Sequence, residues 1–179
     1  MLVPGSTAVV IGAGGGLGHL AVQILAAVSP ARIVAVDERP AGLDLARGVG
    51  AHETVAVGDT AAAEIIELSH GGAQAVFDFV GADATLALAA QVGRPLGRVY
   101  IVGLGGGTLP VSFFSVPYEA SFATTYWGSL PELVEVIALA RSGAISATVH
   151  RYPLERAGEA YADLRAGRLE GRAVVVPNG

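Results

Sequence analysis

The residues best spaced for chemistry in this 179-residue chain are a cluster of glycines and one acid. Gly12, Gly14, Gly15, Gly16 and Gly18, with Leu17 among them, follow the apolar run Ala8-Val9-Val10-Ile11 and precede a helical stretch reaching about Ala27. Glycines at such a corner let the backbone turn sharply and come close to an anion. The helix that follows aims its first N–H groups and the positive end of its dipole at the same place, so the corner suits a pyrophosphate. Read from the strand, the GxGxxG spacing uses Gly12 and Gly14 and puts Leu17 in third place. Read back from the helix, it falls on Ala13, Gly15 and Gly18. The loop is therefore one residue longer than the usual fingerprint, in the form GxxGGxG. Asp37 closes the next strand-like run, Arg32–Asp37, nineteen residues past Gly18. An acid there accepts hydrogen bonds from the adenosine ribose and repels a 2′-phosphate, which selects NAD over NADP. Arg39, two residues on, reads as stacking near the adenine or solvated, and Asp37→Ser would leave it free to meet a 2′-phosphate.

What is missing narrows the chemistry further. The chain has no cysteine and no lysine; all eleven basic residues are arginine. A thiol nucleophile, a disulfide, a cysteine-bound metal, a P-loop lysine, a Schiff base and a Tyr-x-x-x-Lys pair are all excluded within it. His19, in the first helical turn, reads as a solvated helix residue, and His52, His70 and His150 show no metal-ligand spacing. Asp78 reads as a structural acid at a strand end. No catalytic and no metal-ligating residue is assigned. A net charge of −5 without a basic run argues against nucleic acid and anionic membranes. No apolar run nears the roughly 18 residues of a membrane span, and Leu2-Val3-Pro4 leads into the first strand with no signal peptide, so a cytoplasmic protein is expected.

The elements that must hold these residues alternate regularly. Strands are expected at 8–11, 32–37, 53–57, 74–80, 98–102 and 120–127, and helices at 17–27, 40–47, 60–68, 82–91 and from Pro131 onward. Continuous apolar strands separated by helices predict an α/β protein, a doubly wound Rossmann parallel sheet of six strands in the order 3-2-1-4-5-6. Such a sheet binds its ligand at the carboxyl ends of the strands, where Val80-Gly81 and Val102-Gly103-Leu104 fall. Leu109–Phe114 reads as an apolar strand hanging off the sheet, an edge that invites pairing with another chain. A strand, helix and strand at about 145–152, 154–166 and 172–177 form a tail, giving a division into 1–143 and 144–179.

Gly12–His19, Val36–Arg39, Leu45–Ala51, Phe77–Gly81, Tyr100–Leu104, Tyr126-Trp127-Gly128 and Gly171–Pro177, in that order and spacing, resemble the C-terminal half of the medium-chain zinc-dependent alcohol dehydrogenases, in the pattern of bacterial NAD-dependent secondary-alcohol enzymes. The resemblance spans nearly the whole chain. It implies a cofactor-binding half that grips NAD(H) but is catalytically silent alone, with zinc and the proton relay in an N-terminal half, and a small alcohol or ketone as substrate of the full enzyme. By the same resemblance, the backbone at Val102 faces the nicotinamide carboxamide and Leu104 packs on the ring. Tyr126 and Trp127 flank the nicotinamide and substrate pocket, although plain core aromatics would need no function. Arg172 reaches the pyrophosphate. Lysine, frequent in the family just past the acid, is replaced here by Pro40, Ala41 and Gly42. The tail folds back into the N-terminal half, so in this chain Arg172–Val176 is expected to be frayed or paired with another molecule, with Arg172 reaching the cofactor poorly. Residues near 109–126 are expected to join two copies as a homodimer. Two other readings remain open: a zinc-free quinone oxidoreductase of the same superfamily, which the longer glycine loop favours, and a non-catalytic dinucleotide-binding or redox-sensing module.

Overall fold

The computed structural model describes residues 2–177. Six parallel strands, β1 (Thr7–Ile11), β2 (Arg32–Asp37), β3 (Glu53–Ala56), β4 (Ala73–Asp78), β5 (Gly93–Ile101) and β6 (Ser121–Thr124), form one sheet in the order β3-β2-β1-β4-β5-β6. This is the doubly wound order expected from the alternation of elements. Alternate residues of a strand face opposite sides, and β1 shows what that accomplishes. Val9 and Ile11 join Val34, Val36, Val55 and Val76 in one core cluster, while Ala8 and Val10 join Ile33, Ala35 and Val22 in the other. Helices α1 (Gly18–Val28) and α2 (Pro40–Gly48) supply the second cluster; α3 (Ala61–Leu68) and α4 (Asp83–Val92) supply the first. The order places the glycine loop after β1 beside the carboxyl ends of β2 and β4.

The structure departs from the expected elements at β5, at Leu109–Phe114 and at β6. β5 starts at Gly93, earlier than expected, and its pairing with β4 is irregular between Ala73 and Ala75, where Pro95 lacks an N–H and Leu96 adopts φ 63°. Leu109–Phe114 is not a strand. Ser115 Oγ accepts the Ser112 N–H at 2.7 Å and closes a turn, and β6 rather than this segment takes the place beside β5. β6 stops at Thr124, leaving Tyr126 and Trp127 beyond it. Helix α5 (Leu130–Arg141) is capped by Ser129, whose hydroxyl accepts the Glu132 N–H while Glu132 Oε2 accepts the Ser129 N–H at 2.6 Å. It buries none of its residues and so does not cover the sheet.

The tail is ordered. β7 (Val149–Pro153) pairs in parallel with β8 (Arg172–Val176) across helix α6 (Ala157–Arg165), and Arg172 N–H donates to Thr148 O at 2.9 Å. The expected fraying of 172–176 is corrected: the tail supplies its own partner strand. It also docks on the glycine corner, through Gly171 N–H to Gly14 O at 3.1 Å.

Candidate functional site

The corner after β1 is built by backbone hydrogen bonds. Gly12 and Ala13 N–H both donate to Val36 O, at 2.8 and 3.0 Å, which fastens the loop to β2. Gly12 turns with φ 77°, and Gly15 N–H closes back on Gly12 O at 3.1 Å. Gly16, Leu17 and Gly18 follow, and among the described residues their three consecutive N–H groups find no protein acceptor. No side chain caps the helix either. An uncapped start with consecutive free donors at the positive end of the helix dipole is an anion-binding arrangement. Arg172 lies over it: a Cβ on Gly16 would stand 2.9 Å from Arg172 Cδ and Nε. Its exposed guanidinium has no acceptor among the described residues. β8 thus carries the Arg172 side chain over the glycine corner.

Asp37 ends β2 beside this loop and is 5% exposed. Its Oδ2 accepts the Gly14 N–H at 2.8 Å; its Oδ1 accepts the Arg39 N–H at 3.0 Å and lies 3.4 Å from Arg39 Nε. Both oxygens keep accepting capacity. Gly42, in the first turn of α2, is what lets helix, acid and loop meet. A Cβ on it would stand 2.7 Å from Asp37 Cγ, and one on Gly14 would overlap Gly42 Cα. The Arg39 guanidinium is tied to the tail rather than solvated: its Nη1 donates to Gly167 O at 3.0 Å and to Leu169 O at 2.6 Å.

His19 is also corrected. It is fully buried, with Nδ1 2.8 Å from Gly15 O and Nε2 accepting the Thr148 N–H at 3.1 Å, so the neutral imidazole bridges the glycine loop and the tail. Gln23 repeats the link one turn later, donating to Ser146 O at 3.0 Å and accepting the Ser146 N–H at 2.8 Å. His52 and His70 are exposed; His150 is half-buried, 3.7 Å from Glu170.

At the carboxyl ends of β4 and β5, Asp78 is fully buried and structural, as read from its place. Oδ1 accepts the Val80 and Gly81 N–H groups at 2.8 and 3.0 Å, and Oδ2 accepts the Thr85 hydroxyl at 2.8 Å. Val102 and Gly103 N–H donate to Asp78 O, and Gly105 N–H to Val80 O, so the two loops are pressed together. A hollow of about 530 Å³ opens there between Gly81, Gly103, Leu104, Thr108, Phe122 and Thr124. Val80 leans back to the glycine corner, its Cγ2 2.8 Å from where a Cβ on Gly12 would be. Leu104, Tyr126 and Trp127 are exposed, Trp127 at 81%, and the last two meet edge to face at 4.8 Å. They are not core aromatics in this chain. The fold thus brings the glycines, Leu17, Asp37, Val80 and Arg172 to one corner, with Gly81, Val102, Gly103 and Leu104 at the neighbouring strand ends. Among the described residues, no group of three or more His, Asp or Glu comes together to hold a metal ion.

Residues 16–142 match the family described as zinc-binding dehydrogenase. The chain belongs to this family. It is 36% identical over 180 residues to the NAD-dependent alcohol dehydrogenase of Sulfurisphaera tokodaii, covering 98% of this chain and 52% of that protein. The crystal structure of the alcohol dehydrogenase from Aeropyrum pernix superposes with a TM-score of 0.91 at 34% identity, over 99% of this chain and 52% of that one. A quinone oxidoreductase of Pseudomonas syringae pv. tomato gives 0.81 at 25% identity, over 99% of this chain and 58% of that one. The chain spans about half the length of the curated relatives it matches.

Two contributors to the site escaped sequence reading. Gly42 had a signal, since glycine inside a helix is costly and invites a packing reason. His19 had none, because its partner Thr148 lies 129 residues away.

Proposed function

We propose that this chain is the cofactor-binding part of an NAD-dependent alcohol dehydrogenase, with residues 1–143 as the Rossmann domain and 144–179 as a segment shared with a zinc-binding half outside this chain. The observation that carries the reading is the row of free N–H groups at Gly16, Leu17 and Gly18 beneath an uncommitted Arg172 guanidinium, one strand away from Asp37. The residues present fit a dinucleotide. The three N–H groups and Arg172 would hold the pyrophosphate, and Asp37 would accept the ribose hydroxyls. Gly12, Gly14 and Gly15 shape the approach. Val80, Gly81, Val102, Gly103 and Leu104 would line the nicotinamide end, with Tyr126 and Trp127 forming one wall of a pocket for a small alcohol or ketone. When bound, NAD supplies the hydride acceptor. This chain's own residues bind, orient and screen the cofactor, and among the described residues no cluster of side chains suited to zinc comes together. Calorimetric titration tests the reading: NAD(H) should bind, with NADP(H) weaker by at least tenfold, about 1.4 kcal/mol. Equal or tighter NADPH binding would overturn it.

A second reading, a zinc-free quinone oxidoreductase, is favoured by the one-residue-longer glycine loop and the structural likeness to such an enzyme. Metal content and turnover of alcohols against quinones in the longer protein separate the two.

We also propose a homodimer through residues near 109–126. Phe113 and Phe114 stand exposed there, Phe114 at 87%, packed edge to face at 5.0 Å. A patch of this kind marks a partner site. Light scattering should give a dimer at tens of micromolar and Phe113→Asp should weaken it; a clean monomer in the wild type rejects the interface. No helix among the described residues is long and apolar enough to cross a membrane.

A further inference from the structure

Arg39 occupies a position from which an arginine can clasp a phosphate on the 2′ carbon of an adenosine ribose. Its geometry in this chain points the other way. Nη1 is committed to the carbonyls of Gly167 and Leu169, and Nε rests beside Asp37 Oδ1. The acceptors are themselves fixed. Gly167 turns with φ 65° after α6 and donates to Leu164 O at 3.1 Å, and Arg168 N–H donates to Asp163 O at 3.0 Å. Leu169 is buried, and Gly171 N–H is bonded to Gly14 O. The turn is thus anchored on both sides without help from Arg39. To swing toward a ligand, the guanidinium would abandon two charge-assisted hydrogen bonds that nothing else in the chain would replace.

We propose that Arg39 determines cofactor choice by being withheld: the 167–169 turn holds its guanidinium against Asp37, denies a 2′-phosphate its counter-ion, and makes the C-terminal segment part of the discrimination between NAD and NADP. The proposal rests on the dinucleotide reading above. It separates two effects that a plain Rossmann corner would combine. Asp37 repels the extra phosphate, and the tail removes the cation that would attract it. On this proposal, replacing the acid lifts the repulsion without releasing the arginine, so Asp37→Ser alone does not free Arg39.

The test uses the full chain and measures NAD and NADP affinities by calorimetry in five proteins: wild type, Asp37→Ser, Asp37→Ser with Arg39→Ala, Asp37→Ser with two glycines inserted between Gly167 and Arg168, and that insertion variant with Arg39→Ala added. The two variants without the insertion should bind NADP within about twofold of each other, because a withheld Arg39 contributes nothing. The insertion displaces both carbonyls and should raise NADP affinity at least tenfold over Asp37→Ser alone, and adding Arg39→Ala to it should remove that gain. A tenfold loss of NADP affinity on adding Arg39→Ala to Asp37→Ser would overturn the proposal, since it would mean that Arg39 already reaches the phosphate. A folded insertion variant with no gain would overturn it as well. If the insertion variant does not fold, the Arg39→Ala comparison still decides. Failure of the wild type to bind NAD at all would instead reject the dinucleotide reading itself.

Discussion

Replacing Gly14 by alanine tests whether loop, acid and helix meet as tightly as the fold requires. The added Cβ would overlap Gly42 Cα and stand 2.9 Å from the Gly42 carbonyl carbon and oxygen, where ordinary contacts begin near 3.4 Å. Every obstructing atom is backbone, so no rotamer change relieves the clash, and α2 must retreat by half an ångström or more. Overpacking of this kind costs roughly 1–3 kcal/mol. The retreat also stretches the 2.8 Å bond from Gly14 N–H to the buried Asp37 carboxylate, and hydrogen bonds to charged groups contribute roughly 1.5–3 kcal/mol. The two losses share one displacement and do not simply add, so a destabilisation of about 3 kcal/mol is expected. For a chain of this size that corresponds to a melting point lower by roughly 6–12 °C. Gly48→Ala is the control: it ends α2 with open space around its Cβ position, and glycine-to-alanine in a helix should stabilise by roughly 0.5–1 kcal/mol. Thermal denaturation followed by circular dichroism reads both. A Gly14→Ala protein melting within 2 °C of wild type would refute the close packing of α2 on the loop.

Replacing His19 by leucine should leave the half-buried Thr148 N–H without its acceptor, a loss of about 1 kcal/mol; hydrogen exchange at Thr148 should accelerate severalfold or more, and unchanged protection would refute the bridge. The tail's polar lock has a pH signature. Asp163 accepts the Tyr152 hydroxyl at 2.8 Å and pairs with Arg168, and these contacts hold its carboxyl below the ordinary range, in that order of effect. A depressed folded value means that the stabilisation is present above the unfolded value and is lost as pH falls through the folded one. The same hydrogen bond raises the Tyr152 phenol, whose stabilising contribution is therefore lost as pH rises through that raised value. Absorbance titration should show one tyrosine ionising late, and Asp163→Asn should return it toward the ordinary value; a late tyrosine that persists in the variant would refute the assignment. Ser129→Ala should speed exchange at the start of α5, where the Ser129–Glu132 cap is the stabilising contact; unchanged exchange would show that the cap contributes nothing there.

The sequence determined the parts of this protein that depend on neighbours along the chain. A continuous apolar strand, a glycine cluster and a helix follow one another within Thr7–Val28, so their order was legible, as was the sheet order that right-handed crossovers impose on alternating strands and helices. Asp78 was readable as structural because its acceptors' partners, Val80, Gly81 and Thr85, lie within seven residues. The placement of Asp37 at a strand end was readable for the same reason. Tertiary structure alone decided where side chains with a choice of partners would spend their hydrogen bonds. Arg39 could have been solvated or stacked; it meets carbonyls 128 and 130 residues downstream. His19 could have faced water; it is buried because Thr148 arrives to fill its second nitrogen. Leu109–Phe114 has the apolar composition of a strand, but β6 takes the place beside β5 and the segment closes a Ser112–Ser115 turn instead. Local pattern fixes which elements form, whereas hydrogen-bond satisfaction at long sequence separation depends on which surfaces the completed fold brings together.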